Sequence, residues 1–247
     1  MKTIVVMPAY YAEKTLKKTL NDIPPGAVSG VILVDDGSRD ATARVARSLG
    51  LDVIVHPRNR GYGAAQKTGY SKALSLGADL VALIHPDHQY DPSALPVMIA
   101  AVSSGSRAHV CLGSRMSLPG EALRSGMPLY RYLANRILSS FANSALRLNL
   151  SEYHTGFRVY RADFLASIGF ENFSDDFIFD FQIIFKAALC GFGIVESPVG
   201  YRCTPESSSI SFSRGVAYSA GVIRLLLAHR LSKVPAHLSR LDPPPPT

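Results

Sequence analysis

The stretch Leu80-Val81-Ala82-Leu83-Ile84-His85-Pro86-Asp87-His88-Gln89-Tyr90-Asp91-Pro92 sets the architecture expected of this chain. Its apolar opening has the length of a strand buried on both faces. A short polar segment follows, and Pro92 restarts the chain at the first turn of a helix. In an open parallel sheet, ligands bind just beyond the carboxyl ends of the strands. Asp87 and Gln89, two apart in an extended segment, direct their oxygens to one side, and Pro86 holds His85 extended. Such oxygens suit a hard divalent cation. They equally suit an acidic turn that caps the helix starting near Pro92, and the stretch alone leaves both readings open.

Working outward, the same grammar repeats. Toward the N-terminus, Ile4–Met7, Val31–Val34 and Asp52–Val55 read as strands, with helices over Ala12–Asn21, Ala41–Leu49 and Ala64–Leu76 between them. Short strand and helix alternation predicts right-handed βαβ units and a parallel sheet covered on both faces. Toward the C-terminus, His109–Gly113, Phe157–Tyr160 and Ile194–Pro198 read as further strands. Ser114–Met127 is long enough to be a functional loop rather than a simple connection. Leu129, Leu133, Ile137, Phe141 and Ala145 form a helical stripe expected to face the core. A last amphipathic helix from about Val216 to Leu231 carries Leu225-Leu226-Leu227 between Arg224, His229, Arg230 and Lys233. It can pack on the domain or lie on a bilayer. Pro243–Pro246 reads as a disordered tail.

The bulk numbers narrow the classes. A chain of 247 residues with 47% hydrophobic and 18% charged residues can bury a sizeable core in one domain. No run reaches the roughly 18 apolar residues of a membrane span. The three cysteines, Cys111, Cys190 and Cys203, have no metal-site spacing and suit a reducing cytoplasm. The formal charge of +7 points to an anionic partner such as nucleotide phosphates, lipid phosphates or a membrane surface. Nucleic acid is not indicated, because the basic residues are scattered and no stacking-aromatic motif accompanies them.

Two motifs carry chemistry beside the opening stretch. Asp35 and Asp36 leave the second strand together, which is unfavourable unless a nucleobase N–H, a ribose hydroxyl, a metal or the local turn uses them. Arg58, Arg60 and Lys67 surround Gly61 and Gly63 and suit a phosphate or pyrophosphate, as would a solvated basic loop. Neither a Walker loop nor a dinucleotide-binding glycine fingerprint is present.

Read together, Pro8-Ala9-Tyr10 with Glu13, Val34-Asp35-Asp36-Gly37-Ser38, Arg60-Gly61-Tyr62-Gly63, Asp87-x-Gln89-x-Asp91-Pro92, Gly113-Ser114-Arg115, Thr155-Gly156-Phe157-Arg158 and Glu196-x-Pro198 come in order. The chain resembles the family 2 glycosyltransferases of GT-A fold, and among them the dolichyl-phosphate mannosyltransferase-like, or polyprenyl-phosphate glycosyltransferase, group. The resemblance runs over residues 3–215. It implies an α/β fold with a mostly parallel, Rossmann-like central sheet flanked by helices in a single catalytic domain, residues 1–215. An amphipathic helix (216–234) and a Pro-rich disordered tail (235–247) are expected after it.

What the resemblance implies for the site follows residue by residue. Pro8, Tyr10 and Glu13 would line the nucleotide pocket, with Asp35 and Asp36 at the base and ribose and Arg60 and Lys67 near phosphate. Asp87 matches the second aspartate of the family's Asp-x-Asp metal motif, Gln89 faces the same Mg²⁺ or Mn²⁺, and Arg202 and Ser209 resemble late positions near the donor diphosphate. Arg115 and Arg131 fall where relatives hold the acceptor phosphate. The implied reaction is inverting transfer of one sugar from a GDP- or UDP-sugar to a polyprenyl or dolichyl phosphate, in the cytoplasm or at the cytoplasmic face of a membrane reached by the basic charge, the last helix or a partner. The alternatives are a soluble hydroxyl acceptor and a non-catalytic nucleotide-sugar-binding protein.

Two positions depart from the pattern. His85 stands where the family has the first aspartate of the metal motif; a histidine there can ligate Mn²⁺ or hydrogen-bond the ribose or diphosphate, but it brings no negative charge. Gln182 stands where relatives often carry Glu, which leaves Asp180 as the nearest acid, with Asp175 and Asp176 as further base candidates. The chain has no Trp, so the Gln-x-x-Arg-Trp motif of processive synthases is absent.

Overall fold

The structure, a computed structural model, describes residues 1–103, 105–203 and 211–239. In chain order the elements are β1 (Thr3–Ala9), α1 (Leu16–Asn21), β2 (Gly30–Asp35), α2 (Thr42–Ser48), β3 (Asp52–Val55), α3 (Tyr62–Ser75), β4 (Leu80–Leu83) and α4 (Leu95–Val102). Then come β5 (Ala108–Ser114), α5 (Glu121–Arg124), α6 (Leu129–Leu146), β6 (Arg158–Arg161), α7 (Ala162–Ser167), α8 (Ile178–Leu189), β7 (Gly193–Pro198), α9 (Phe212–Arg230) and α10 (Ala236–Ser239). The strands make one seven-stranded sheet in the order β3-β2-β1-β4-β6-β5-β7. This is an α/β fold with a mostly parallel sheet between helical layers.

The apolar runs explain the layering. All seven residues of β1 are buried, because the strand has neighbours on both edges and helices on both faces. Its pleat divides the core: Ile4 and Val6 face Tyr70, Ala73 and Phe179, while Val5 and Met7 face Leu16, Ala46, Leu95 and Met98. The parallel register Thr3↔Leu80 to Val6↔Leu83 starts β1 and β4 level and turns both carboxyl ends to the same edge of the sheet.

The sequence predicts parallel strands, and β6 is the exception: it runs antiparallel to both β4 and β5. Its first residue, Arg158, pairs with Leu83 at the carboxyl end of β4. The segment just before β6 therefore arrives at the edge where ligands bind an open sheet, and it delivers Glu152, His154, Thr155 and Gly156 there.

Four further expectations are corrected. The stripe Leu129, Leu133, Ile137 and Phe141 on α6 is exposed, with Ile137 at 68%; the helix packs instead through Asn135, Leu138, Ser139 and Ala142. Ser114–Met127 folds around α5 with its own apolar cluster of Met116, Ala122, Met127 and Tyr201. The last long helix begins at Phe212, not near 216, and Ser211 caps it by accepting from the Arg214 N–H. The expected tail from 235 is helical over Ala236–Ser239, with Leu238 buried. Residues 243–246 lie outside the described residues.

Candidate active site

A cleft of about 1290 Å³ opens at the carboxyl edge of β1, β2 and β4 and is walled on the far side by α6 and α9. Single-ligand pockets usually enclose about 300–1,000 Å³, so this cleft has room for two reactants. Pro8, Tyr10, Asp36, Arg60, His85, Asp87 and Gln89 line one end, and Arg115, Arg131 and Asp180 the other walls.

The loop after β2 is built on Asp36. Its Oδ1 accepts from His56 Nδ1 at 2.6 Å and from the Arg60 N–H at 2.9 Å, and its Oδ2 accepts from the Gly61 N–H at 2.9 Å. His56 is fixed in turn by Thr68 Oγ1 at 2.9 Å. Gly61 has φ +108°, a conformation that disfavours any side chain. Asp36 therefore fastens the Arg60 loop over the cleft while still lining it.

Four predicted nucleotide-site residues are placed elsewhere, each by a nearer partner. Asp35 accepts from the Ser38 N–H at 3.0 Å and closes its turn beneath the cleft wall. Glu13 accepts from the Ala41 N–H at 2.8 Å, covering the exposed N–H groups at the start of α2. Lys67 donates to the Phe173 carbonyl and to Asp175 Oδ1, tying α3 to the loop before α8. Arg202 points to Asp22 and Asp91, at 3.2 and 3.4 Å. None of the four lines the cleft. Ser209 lies outside the described residues.

At the end of β4, His85, Asp87 and Gln89 do come together on the cleft wall. Asp87 and Gln89 are buried to 6% and 8% exposure, and Asp87 Oδ1 accepts from the Gln89 N–H at 3.1 Å. One carboxylate, one amide and one imidazole would supply only part of a coordination shell. Among the described residues no three His, Cys, Asp or Glu side chains gather in a metal-holding group. This donor set fits a divalent cation that takes its remaining ligands from a bound diphosphate, and does not fit one held by protein alone.

His85 is held from behind. Its Nε2 is 2.6 Å from the Tyr62 hydroxyl, which donates to Asp180 Oδ2 at 2.9 Å. Burial lowers the imidazole pKa against the pull of Asp87 and Asp180, so the ring is neutral. Burial, then the Asp180 charge, raises the Tyr62 hydroxyl well above its ordinary value. Asp180 also accepts from Gln66 Nε2 at 2.9 Å and lies 3.6 Å from the Arg158 guanidinium. The other two base candidates are engaged as well: Asp175 with Lys67, and Asp176 with the Phe177 N–H at 2.8 Å.

Arg115 enters from the end of β5 and is clamped by the fully buried Glu152, which accepts from its Nε at 3.0 Å, from its Nη2 and from its backbone N–H. Asn135 of α6 donates to the same carboxylate at 2.7 Å. Burial opposes both charges, yet the pair outweighs it: Glu152 is held below, and Arg115 above, its ordinary value. The guanidinium lies over the rings of Tyr90 and Tyr201, 5.4 and 5.2 Å from their centres. Arg131, on the first turn of α6, has Tyr130 as its side-chain partner among the described residues, the Tyr130 hydroxyl accepting from its Nε at 3.1 Å.

The sequence reading missed Tyr62, Glu152 and Arg158 as working parts. Arg158 and Tyr62 sat inside quoted motifs without a role. For Glu152 the one available signal was the need of a buried Arg115 for a counter-charge. Glu196 explains how Glu152 is presented, since it accepts from the Ser151 and Glu152 N–H groups at 2.7 and 2.9 Å.

Comparison with known proteins agrees with this geometry. The family described as Glycosyl transferase family 2 matches residues 4–169. The undecaprenyl-phosphate mannosyltransferase of Micrococcus luteus is 29% identical over 208 residues, covering 81% of this chain and 84% of that protein. The UDP-N-acetylglucosamine–dolichyl-phosphate N-acetylglucosaminyltransferase of Methanococcus voltae is 31% identical over 152 residues, 55% of this chain and 59% of that protein. Among solved structures, glucosyl-3-phosphoglycerate synthase of Mycobacterium tuberculosis with Mn²⁺, UDP and phosphoglyceric acid superposes with a TM-score of 0.70 at 19% identity. It covers 95% of this chain and 79% of that one, and at that identity the likeness is one of fold.

Proposed function

The chain belongs to glycosyl transferase family 2, and on that premise we propose that it moves one sugar from a nucleoside diphosphate to a polyprenyl phosphate, with inversion. The observation that carries the acceptor is the state of the acids. A hydroxyl acceptor needs a general base, and Asp180, Asp175 and Asp176 are all engaged in structural contacts. A phosphate monoester, with a second pKa of about 6, needs no such base. It needs cations, and Arg115 and Arg131 line the same cleft. The relatives named for lipid-phosphate acceptors support the same choice.

The residues divide the work along the cleft. Tyr10, Asp36 and Arg60 hold the nucleotide end, and His85, Asp87 and Gln89 would hold Mg²⁺ or Mn²⁺ beside the diphosphate. A bound cation would offset the negative charge that develops on the leaving diphosphate. Arg115, immobilised by Glu152, fixes the acceptor phosphate, and Arg131 adds a second charge from the rim.

The helices that wall the acceptor side also supply a route to lipid. No helix among the described residues is long and apolar enough to cross a membrane. Instead α6 exposes Leu129, Leu133, Ile137 and Phe141, and α9 exposes Val216, Ile223 and Leu227. Arg230 links the two helices by donating to Ser144 at 2.7 Å and lying over Phe141. With Arg136 and Arg224 alongside, this face meets an anionic bilayer surface, on its cytoplasmic side, and an isoprenoid chain reaches the cleft there.

The test is direct. Purified protein is incubated with GDP- and UDP-sugars and Mg²⁺ or Mn²⁺, with and without a short polyprenyl phosphate, and products are followed by mass spectrometry. Sugar on the lipid phosphate is expected; transfer to an alcohol with none to the phosphate rejects this acceptor. Asp87→Ala is expected to abolish transfer, and unchanged transfer would reject the cation seat.

A further inference from the structure

We infer that Tyr62 is a positioning residue that fixes His85 as the Nε2–H tautomer and so turns its Nδ1 lone pair into a ligand for the cation at the donor end. The argument is one of proton accounting. The Asp180 carboxylate, paired with the Arg158 guanidinium, accepts, so at 2.9 Å the single Tyr62 proton goes to it. The Tyr62 oxygen, 2.6 Å from His85 Nε2, must then accept, which places the ring proton on Nε2. Nδ1 carries the lone pair. It makes no hydrogen bond among the described residues and is not among the buried unpartnered atoms, while the residue lines the cleft.

The ring is packed on both sides, and the Tyr62 hydroxyl selects the orientation that turns Nε2 toward it. Tyr62 packs edge-on to it at 5.3 Å and is itself stacked on Phe177 at 5.0 Å. On the other side, a Cβ added at Gly156 would fall 2.5 Å from His85 Cε1, so the glycine makes the space the ring occupies. The outer nitrogen of a metal-ligating histidine ordinarily donates to an acceptor that sets its tautomer, and Tyr62 backed by Asp180 is that acceptor.

The consequence is a change in metal preference. An imidazole nitrogen in place of a carboxylate disfavours Mg²⁺, which demands oxygen, relative to first-row transition ions, whose affinity for N/O sites rises from Mn²⁺ to Co²⁺. The cation seat itself belongs to the reading above, so the experiment separates the two. Two-bond ¹⁵N–¹H spectra of the histidine-labelled full chain, without metal or nucleotide, are expected to show His85 as Nε2–H. Tyr62→Phe, which keeps the stack on Phe177, is expected to give a mixture of tautomers at unchanged Tm. A wild-type Nδ1–H ring, or a tautomer indifferent to Tyr62→Phe, overturns the role of Tyr62.

Calorimetry with Mg²⁺, Mn²⁺ and Co²⁺ at saturating GDP or UDP then reads the preference. We expect Co²⁺ to bind at least about tenfold tighter than Mg²⁺ in the wild type, and His85→Asp to narrow that ratio about tenfold. A ratio unchanged by His85→Asp overturns the ligand assignment. Failure of both nucleotides to bind refutes the donor reading instead, and the ligand-free spectra still decide the role of Tyr62.

Discussion

Arg158 and Asp180 form a buried pair under the cleft: Arg158 Nη2 lies 3.6 Å from Asp180 Oδ2, and its Nη1 donates to the Asp180 carbonyl at 2.7 Å. Arg158 is fully buried, and its remaining contacts are backbone carbonyls of Thr155 and Tyr153 and the Tyr160 hydroxyl. The carboxylate is thus the counter-charge of the floor. Removing one member of a buried pair costs about 3–5 kcal/mol. Asp180→Ala is expected to lower Tm by about 10 °C, taking about 2–4 °C per kcal/mol for a chain of this size. Asp180→Asn is expected to leave the acid limb of the kcat/KM profile in place. Loss of that limb would make Asp180 the base and bring back a hydroxyl acceptor.

Arg115 and Arg131 face the same space with different support, so their variants should separate. Arg131→Ala removes an arginine whose side-chain partner is Tyr130 on the rim. Acceptor KM is expected to rise about tenfold or more, with nucleotide Kd and Tm nearly unchanged. Arg115→Ala strands the buried Glu152, and a loss of about 3–5 kcal/mol is expected in denaturant titration. The double variant Arg115→Met with Glu152→Gln is expected to recover much of that stability without recovering transfer. A rise in nucleotide Kd for Arg131→Ala would move that residue to the donor end.

Much of the fold was legible because it is written locally. Each strand that the sequence predicts is present, since an apolar run of strand length between turn formers has one good burial solution in an α/β protein. The direction of β6 was not legible, because nothing within Arg158–Arg161 says whether it enters the sheet from above or below. The α6 stripe misled for a related reason: an apolar stripe marks a face that meets something apolar, and the sequence does not say whether that is the core. At the site, Asp36, His85, Asp87, Gln89, Arg115 and Arg131 reach the cleft because their motifs sit at strand ends or at the start of a wall helix. Glu13, Lys67 and Arg202 do not, because each has a closer partner that only the folded chain brings near, and Asp35 does not because it closes its own turn on the Ser38 N–H.

The exposed stripe on α6 gives a prediction in its own right. Ile137→Glu places a charge at a position 68% exposed, so thermal stability should hardly change. Flotation with vesicles containing anionic lipid is expected to fall several-fold, and transfer to a long-chain polyprenyl phosphate in those vesicles to fall with it. Transfer to a short, water-dispersed analogue should persist. Unaltered flotation in both Ile137→Glu and Leu227→Glu would rule out this face as the bilayer contact.

The last prediction concerns acid stability. His154 is stacked on Phe181, its Nδ1 is 2.6 Å from the Tyr218 hydroxyl, and its Nε2 is buried without a partner. Burial lowers its pKa from 6.5 to about 4, against the opposing pull of Glu152. The folded ring therefore stays neutral where the unfolded ring takes a proton. Between those two values the unfolded chain binds more protons, so stability falls as pH drops from about 6.5 to about 4 and is fully present above that window. At about 1.4 kcal/mol per pKa unit the ceiling is about 3 kcal/mol, reduced because the residue is only partly buried and lines the cleft. His85, lowered in the same direction by burial, contributes with the same sign. Urea titrations at pH 7 and pH 5 should show the loss, and His154→Phe should flatten the slope by its share. An identical slope in that variant would place the acid sensitivity elsewhere, on carboxylates held below their ordinary range such as Glu152.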